Sequence, residues 1–81
     1  SVLPKMANGL DNYCQEVLIK LGNTIKSMRE KRGLTQQSLA YRSGLTTRVI
    51  CQIEKATIKP NVYTLVKLSH FFGTPIKDLF A

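Results

Sequence analysis

Apolar residues recur at Leu10, Cys14, Leu18, Leu21, Ile25 and Met28, always three or four positions apart. That spacing lays them along one stripe of an α-helix about six turns long. Asp11 is placed to cap its start, and Gly33 supplies a left-handed stop after Arg32. Gly22 falls off the stripe, so residues 11–32 read either as one helix or as two, with 11–20 separate. Ile19 lies nearly opposite the stripe and, with Val17, marks a candidate contact surface.

Four shorter helices follow. Thr35 caps a helix of about two turns whose buried face is Leu39 and Ala40, and Gly44 ends it. Thr46 caps the next, Thr47 to Lys55, with Val49 or Ile50 and then Ile53 inward. The two are joined by Ser43-Gly44-Leu45, the short glycine-containing turn of a helix-turn-helix. Pro60 forbids helix at its predecessor, so 56–60 is a loop. Asn61 caps a fourth helix with Val62, Leu65, Leu68, Ser69 and Phe72 inward, ended by Gly73. His70, Tyr63, Val66 and Lys67 share its outward face, which suits surface or dimer contact better than metal binding. Thr74 as cap and Pro75 at the first helical position open a last short helix bearing Ile76, Leu79 and Phe80. No segment alternates with period two, so the fold class is all-α.

Eighty-one residues make one small domain whose core is marginal. Two cysteines and one histidine are too few for a closed zinc site or a disulfide framework. Packing of helices and a partner subunit are the remaining routes to stability. No apolar run reaches the length that spans a bilayer, which excludes a membrane-embedded class. Two widely spaced cysteines without a secretion signal suit a reducing cytoplasm. Ser1 to Lys5 read as an expression remnant ahead of Met6 and carry no fold expectation.

Charge is the next constraint. Twelve Lys and Arg against five Asp and Glu leave +7, and +6 of it lies within residues 24–60. Segregation of sign at the paired short helices points to a polyanion-binding surface rather than a mixed, solubilising one. The basic residues do not form one amphipathic helix face, so a membrane surface is excluded. No nucleophile–base–orienter set and no paired carboxylates at useful spacing are present, which argues against an enzyme. No cofactor and no metal are expected.

From Leu21 to Phe80 the chain resembles the Cro/C1-type (XRE-like) helix-turn-helix family, the domain of phage repressors. The resemblance rests on Leu21-Gly22-x-x-Ile25, Arg29-x-x-Arg32-Gly33-Leu34-Thr35-Gln36, Leu39-Ala40, Ser43-Gly44-Leu45, Ile50-x-x-Ile53-Glu54 and Pro60. It continues through Leu65-x-x-Leu68, Phe72-Gly73 and Leu79-Phe80. It implies a five-helix lambda-repressor-like DNA-binding domain over 21–81, with 1–20 as an N-terminal helical extension.

The same resemblance implies roles. Helix 47–55 enters the major groove of double-stranded DNA, and the helix before it crosses the backbone. The base-reading positions map onto Thr47, Arg48 and Gln52, with Thr46 beside them. Arg48 suits guanine O6 and N7, and Gln52 suits adenine N6 and N7, each pair worth about 1–3 kcal/mol of discrimination. Val49 reads either as a thymine-methyl contact or as core beside Ile50. Thr35 and Gln36 would hold the DNA backbone at a helix N-terminus. Arg42, Lys55 and Lys59 flank the recognition helix as phosphate contacts, with plain solvent exposure as the alternative. Arg29 and Glu54 would form an internal ion pair.

Three positions depart from the family pattern. Ala56 stands where many relatives carry Gly, so this loop is expected to turn differently, with Ile58 exposed in it. Cys51 occupies a position usually polar, and reads as an inert small side chain, with a redox-sensing thiol as the alternative. The expected function is a sequence-specific transcriptional regulator binding a two-fold operator as a homodimer. With no room in this length for a ligand-binding domain, control would come through concentration or a partner. The alternative is an antitoxin-like or other protein-interaction module, its partner held by the N-terminal segment or the Ile19 face.

Overall fold

The computed structural model describes residues 7–81, so the reading of Ser1 to Lys5 lies outside the described residues. It contains α1 (Ala7–Lys31), α2 (Gln36–Ser43), α3 (Thr47–Glu54), α4 (Val62–Phe72) and a 3-10 helix (Ile76–Phe80). Among the described residues there is no strand. The all-helical class holds, but the fifth helix is a 3-10 segment rather than a fifth α-helix. Pro75, not Thr74, stands at its N-cap, and no side chain caps it. Five residues allow too few i→i+4 bonds to hold an α-helix, and the tighter 3-10 turn is the common outcome.

α1 is one unbroken helix, and it starts ahead of Asp11, which lies inside it. Gly22 does not break it, because that glycine serves a crossing. A Cβ at Gly22 would lie 2.5 Å from the Ile53 carbonyl oxygen and 3.0 Å from that of Glu54. The absent side chain lets α1 and the end of α3 touch backbone to backbone. At about 1.5 Å per residue, a helix of this length accounts for most of the molecule's long dimension, which is 41 Å.

Local chemistry ends α2, α3 and α4 where the sequence predicts, apart from one residue. The hydroxyls of Thr35 and Thr46 and the amide oxygen of Asn61 accept from the backbone N–H groups of Ser38, Val49 and Thr64. Gly44 and Gly73 close α2 and α4 in the left-handed conformation. α3 stops at Glu54, so Lys55 is its C-cap rather than its last helical residue.

The core gathers Leu21 and Ile25 of α1, Leu39 and Ala40 of α2, Ile50 and Ile53 of α3, Leu68 and Phe72 of α4, and Leu79. α1 packs on α3 and on the 3-10 helix, and α2 packs on α3 and α4. Val49 and Ile58 pack against this core as partly buried residues, so Ile58 is not the exposed loop residue expected. Its loop folds back because the turn after α3 aims it inward. Val62 departs the other way: it is 71% exposed, not inward. It is the first residue of α4 and overhangs the elements against which that helix packs. Ile76, in the first turn of the 3-10 helix, is likewise exposed. Leu10 continues the apolar stripe of α1 yet is exposed, because the stripe outruns the domain that buries Leu21 and Ile25.

Candidate nucleic-acid interface

Behind α3 lies a three-helix polar brace. Arg29 of α1 donates from Nε to Glu54 Oε2 at 2.7 Å and from Nη2 to Glu54 Oε1 at 3.0 Å. Its Nη1 donates to the Leu34 carbonyl at 2.7 Å. Gln36 of α2 donates from Nε2 to Glu54 Oε1 at 3.0 Å. The Glu54 side chain is 4% exposed and that of Arg29 12%. The hydrogen bond that Arg29 donates to Glu54 raises the Arg29 pKa above the ordinary arginine value, against a smaller opposing effect of burial. One carboxylate therefore ties α1, α2 and α3 together at the end of α3. Gln36 spends one of its two Nε2 N–H donors on this inward bond.

On the other side of α3, Thr46, Thr47 and Arg48 are exposed, while Gln52 is half-buried one turn after Arg48. The Thr46 hydroxyl accepts from Val49 N at 3.1 Å, so its oxygen serves the helix cap. Val49 is half-buried on the core side. Cys51 is half-buried and lies one turn after Thr47 and one turn before Lys55, on the arc that carries Arg48.

Several cations are already engaged. Arg32 donates to the Phe72 carbonyl at 2.9 Å and stacks 5.0 Å from that residue's ring centroid. Lys67 donates to the Gly44 carbonyl at 3.0 Å with its ammonium 4.4 Å from the Tyr63 ring centroid, pinning the turn between α2 and α3. Among the described residues, Arg42, Arg48, Lys55 and Lys59 are exposed and make no salt bridge. Those four lie on α2, α3 and the loop that follows.

Sequence reasoning missed the cleft beside α2. Thr35, Gln37, Ser38, Tyr41 and Arg42 line an open depression of about 390 Å³. Tyr41 is 88% exposed at its edge. The signal was present: Tyr41 and Gln37 fall opposite Leu39 and Ala40 on a helix with only one buried face. The cleft runs along α2 from its N-cap, Thr35, to Arg42 in its last turn.

No group of three or more His, Cys, Asp or Glu among the described residues could hold a metal. No helix among them is long and apolar enough to cross a membrane.

The arrangement matches known proteins. Residues 25–79 match the Helix-turn-helix family model HTH_3. The chain is 36% identical over 58 residues to an uncharacterized HTH-type transcriptional regulator of Methanocaldococcus jannaschii, covering 72% of this chain and 88% of that protein. It is 33% identical over 60 residues to the HTH-type transcriptional regulator PuuR of Escherichia coli, covering 74% of this chain but only 32% of PuuR. The crystal structure of the restriction-modification controller protein C.AhdI from Aeromonas hydrophila superposes with a TM-score of 0.72 at 27% identity. That match covers 78% of this chain and 96% of the controller.

Proposed function

This chain belongs to the HTH_3 helix-turn-helix family, and from that premise we propose that it is a sequence-specific, double-stranded DNA-binding transcriptional regulator acting in the cytoplasm as a homodimer. α3 lies in the major groove, with Thr47, Arg48 and Gln52 at base edges and Thr46 beside them. Val49 reaches a thymine methyl only at the rim of this face. Thr35 and the second Nε2 N–H of Gln36 hold the backbone with Arg42 along the α2 cleft, and Lys55 and Lys59 hold it beyond α3. Residues 21–81 form the DNA-binding domain and 1–20 its extension.

The observation that carries this reading is the asymmetry of α3. Its inner edge is fixed by Glu54 to Arg29 and Gln36, while Arg48 on its outer edge is exposed without a salt bridge. An exposed arginine without a salt bridge, at the start of a short helix whose other end is braced, is arranged to meet a base edge rather than to stabilise the fold.

Selection of bound sequences from a random DNA pool tests it. The expected product is a two-fold symmetric motif with half-sites about 34–36 Å apart, one helical turn. A pool that stays random after repeated rounds would overturn the reading.

A second reading is an interaction module, antitoxin-like, whose DNA binding is secondary. The exposed Leu10, Tyr13 and Ile19 on α1 favour it. Enrichment of an operator together with retention of binding after Ile19→Lys would count against it.

A further inference from the structure

The turn after α3 keeps the usual geometry of a helix end with an unusual residue in it, so the expectation that Ala56 would make this loop turn differently is not met. Thr57 N donates to the Gln52 carbonyl at 3.0 Å and Ala56 N to that of Ile53 at 3.1 Å, the paired bonds of a Schellman end. The residue between them must be left-handed, and here it is Ala56, with φ of 57°. Glycine normally fills that place, because a Cβ crowds the neighbouring carbonyl there. Among the described residues Ala56 is the only non-glycine residue with positive φ.

Two contacts over-determine the strained residue. The residue is 8% exposed. Its carbonyl accepts a 3.0 Å hydrogen bond from Gln15 Nε2, which lies 41 positions away in α1. A carbonyl oxygen swings with its own residue's ψ, so Ala56 cannot leave the left-handed basin without losing Gln15. Gln15 lies in the part of α1 that precedes the matched residues 25–79.

We propose that Gln15 is a positioning residue: by locking the Ala56 turn it sets Lys59, which follows that turn, against the DNA backbone. The inference rests on the DNA-binding reading above and gives the extension of α1 a task in it. Thr57 and Ile58 already tie the middle of the loop down, through Thr57 Oγ1 to the Gln52 carbonyl and through Ile58 to the core. The Gln15 bond adds a restraint on the ψ of Ala56, which sets the direction in which the chain leaves α3. Lys59 follows three residues later, so a change in that direction moves its whole backbone.

The test uses the full chain carrying Gln15→Met, which keeps side-chain length but removes the donor, with Ala56→Gly and the double variant. Affinity is measured on a pool-selected duplex and on a scrambled duplex of equal length over a range of salt. Gln15→Met is expected to weaken both about threefold and to flatten the salt dependence. Ala56→Gly should restore the double variant, because glycine takes the left-handed turn unaided. Lys59→Ala should cost little more once Gln15→Met is present. Unchanged affinity, a loss confined to the selected duplex, or a loss that Ala56→Gly leaves in place would overturn the proposal. Amide exchange at Thr57, read without DNA, separates the two levels: it should quicken in Gln15→Met and recover in the double variant. If the unsubstituted chain binds neither duplex, the DNA-binding reading itself fails. If it binds and Thr57 exchange is unmoved by Gln15→Met, the lock alone fails.

Discussion

Arg29 and Glu54, 25 residues apart, meet through two guanidinium nitrogens and both carboxylate oxygens, at 2.7 and 3.0 Å. The pair decides how α3 sits on α1. It also takes one of the twelve cations out of the charge available for a polyanion. Bidentate geometry with little solvent access is the case in which such a pair is hard to replace.

Removing one partner leaves the other charge buried and unpaired. Glu54→Ala is therefore expected to destabilise the fold by about 3–5 kcal/mol, read as a lower denaturation midpoint. Because the Arg29 pKa is raised, its contribution is complete below the unfolded-state value. It is lost only as pH rises through the still higher folded-state value. Stability drawn from this pair should accordingly stay level from neutral into moderately alkaline solution, which melting curves across that range would check.

Arg48→Ala and Gln52→Ala should each erase preference at particular operator positions, at about 1–3 kcal/mol per lost base pair contact. Salt-sensitive binding to any duplex should persist. Competition between operator and scrambled DNA measures this, and preference that survives both changes would remove α3 from the groove.

Arg42→Ala and Lys59→Ala should instead weaken all sequences alike. Each should reduce the slope of affinity against salt by about one unit, since each would release one phosphate contact. A slope that does not move would mean that the side chain is merely solvated.

Gly22→Ala tests the backbone-to-backbone crossing. Its Cβ would meet the Ile53 carbonyl at 2.5 Å, and a main-chain atom cannot rotate aside. The expected cost is about 1–3 kcal/mol despite alanine's better helix propensity. A variant as stable as the parent would show that α1 and α3 can slide apart freely.

Cys51 offers a footprint. It shares an arc of α3 with Thr47 and Lys55, whereas Cys14 lies in the first half of α1, and both thiols are free and half-buried. Bound operator should slow alkylation of Cys51 and leave Cys14 unchanged, as followed by mass spectrometry. Equal slowing of both would place the DNA elsewhere.

The sequence by itself determined the helical class, the short helix pair with its turn, and where the charge concentrates. Those signals are local. A threonine that accepts from the N–H three residues on, or a glycine that turns left-handed, acts within one turn of chain, as at Thr35, Gly44, Thr46, Asn61 and Gly73. Tertiary structure decided the rest. Whether Gly22 breaks a helix or admits a neighbour depends on the carbonyls of Ile53 and Glu54. Whether Ala56 can stay left-handed depends on Gln15. Which cations remain for a phosphate depends on Glu54 for Arg29, on Phe71 and Phe72 for Arg32, and on Gly44 for Lys67. Each of those partners lies more than twenty residues away in the chain. No helical period or capping rule reaches that far, and only the packed core brings the groups within hydrogen-bonding distance.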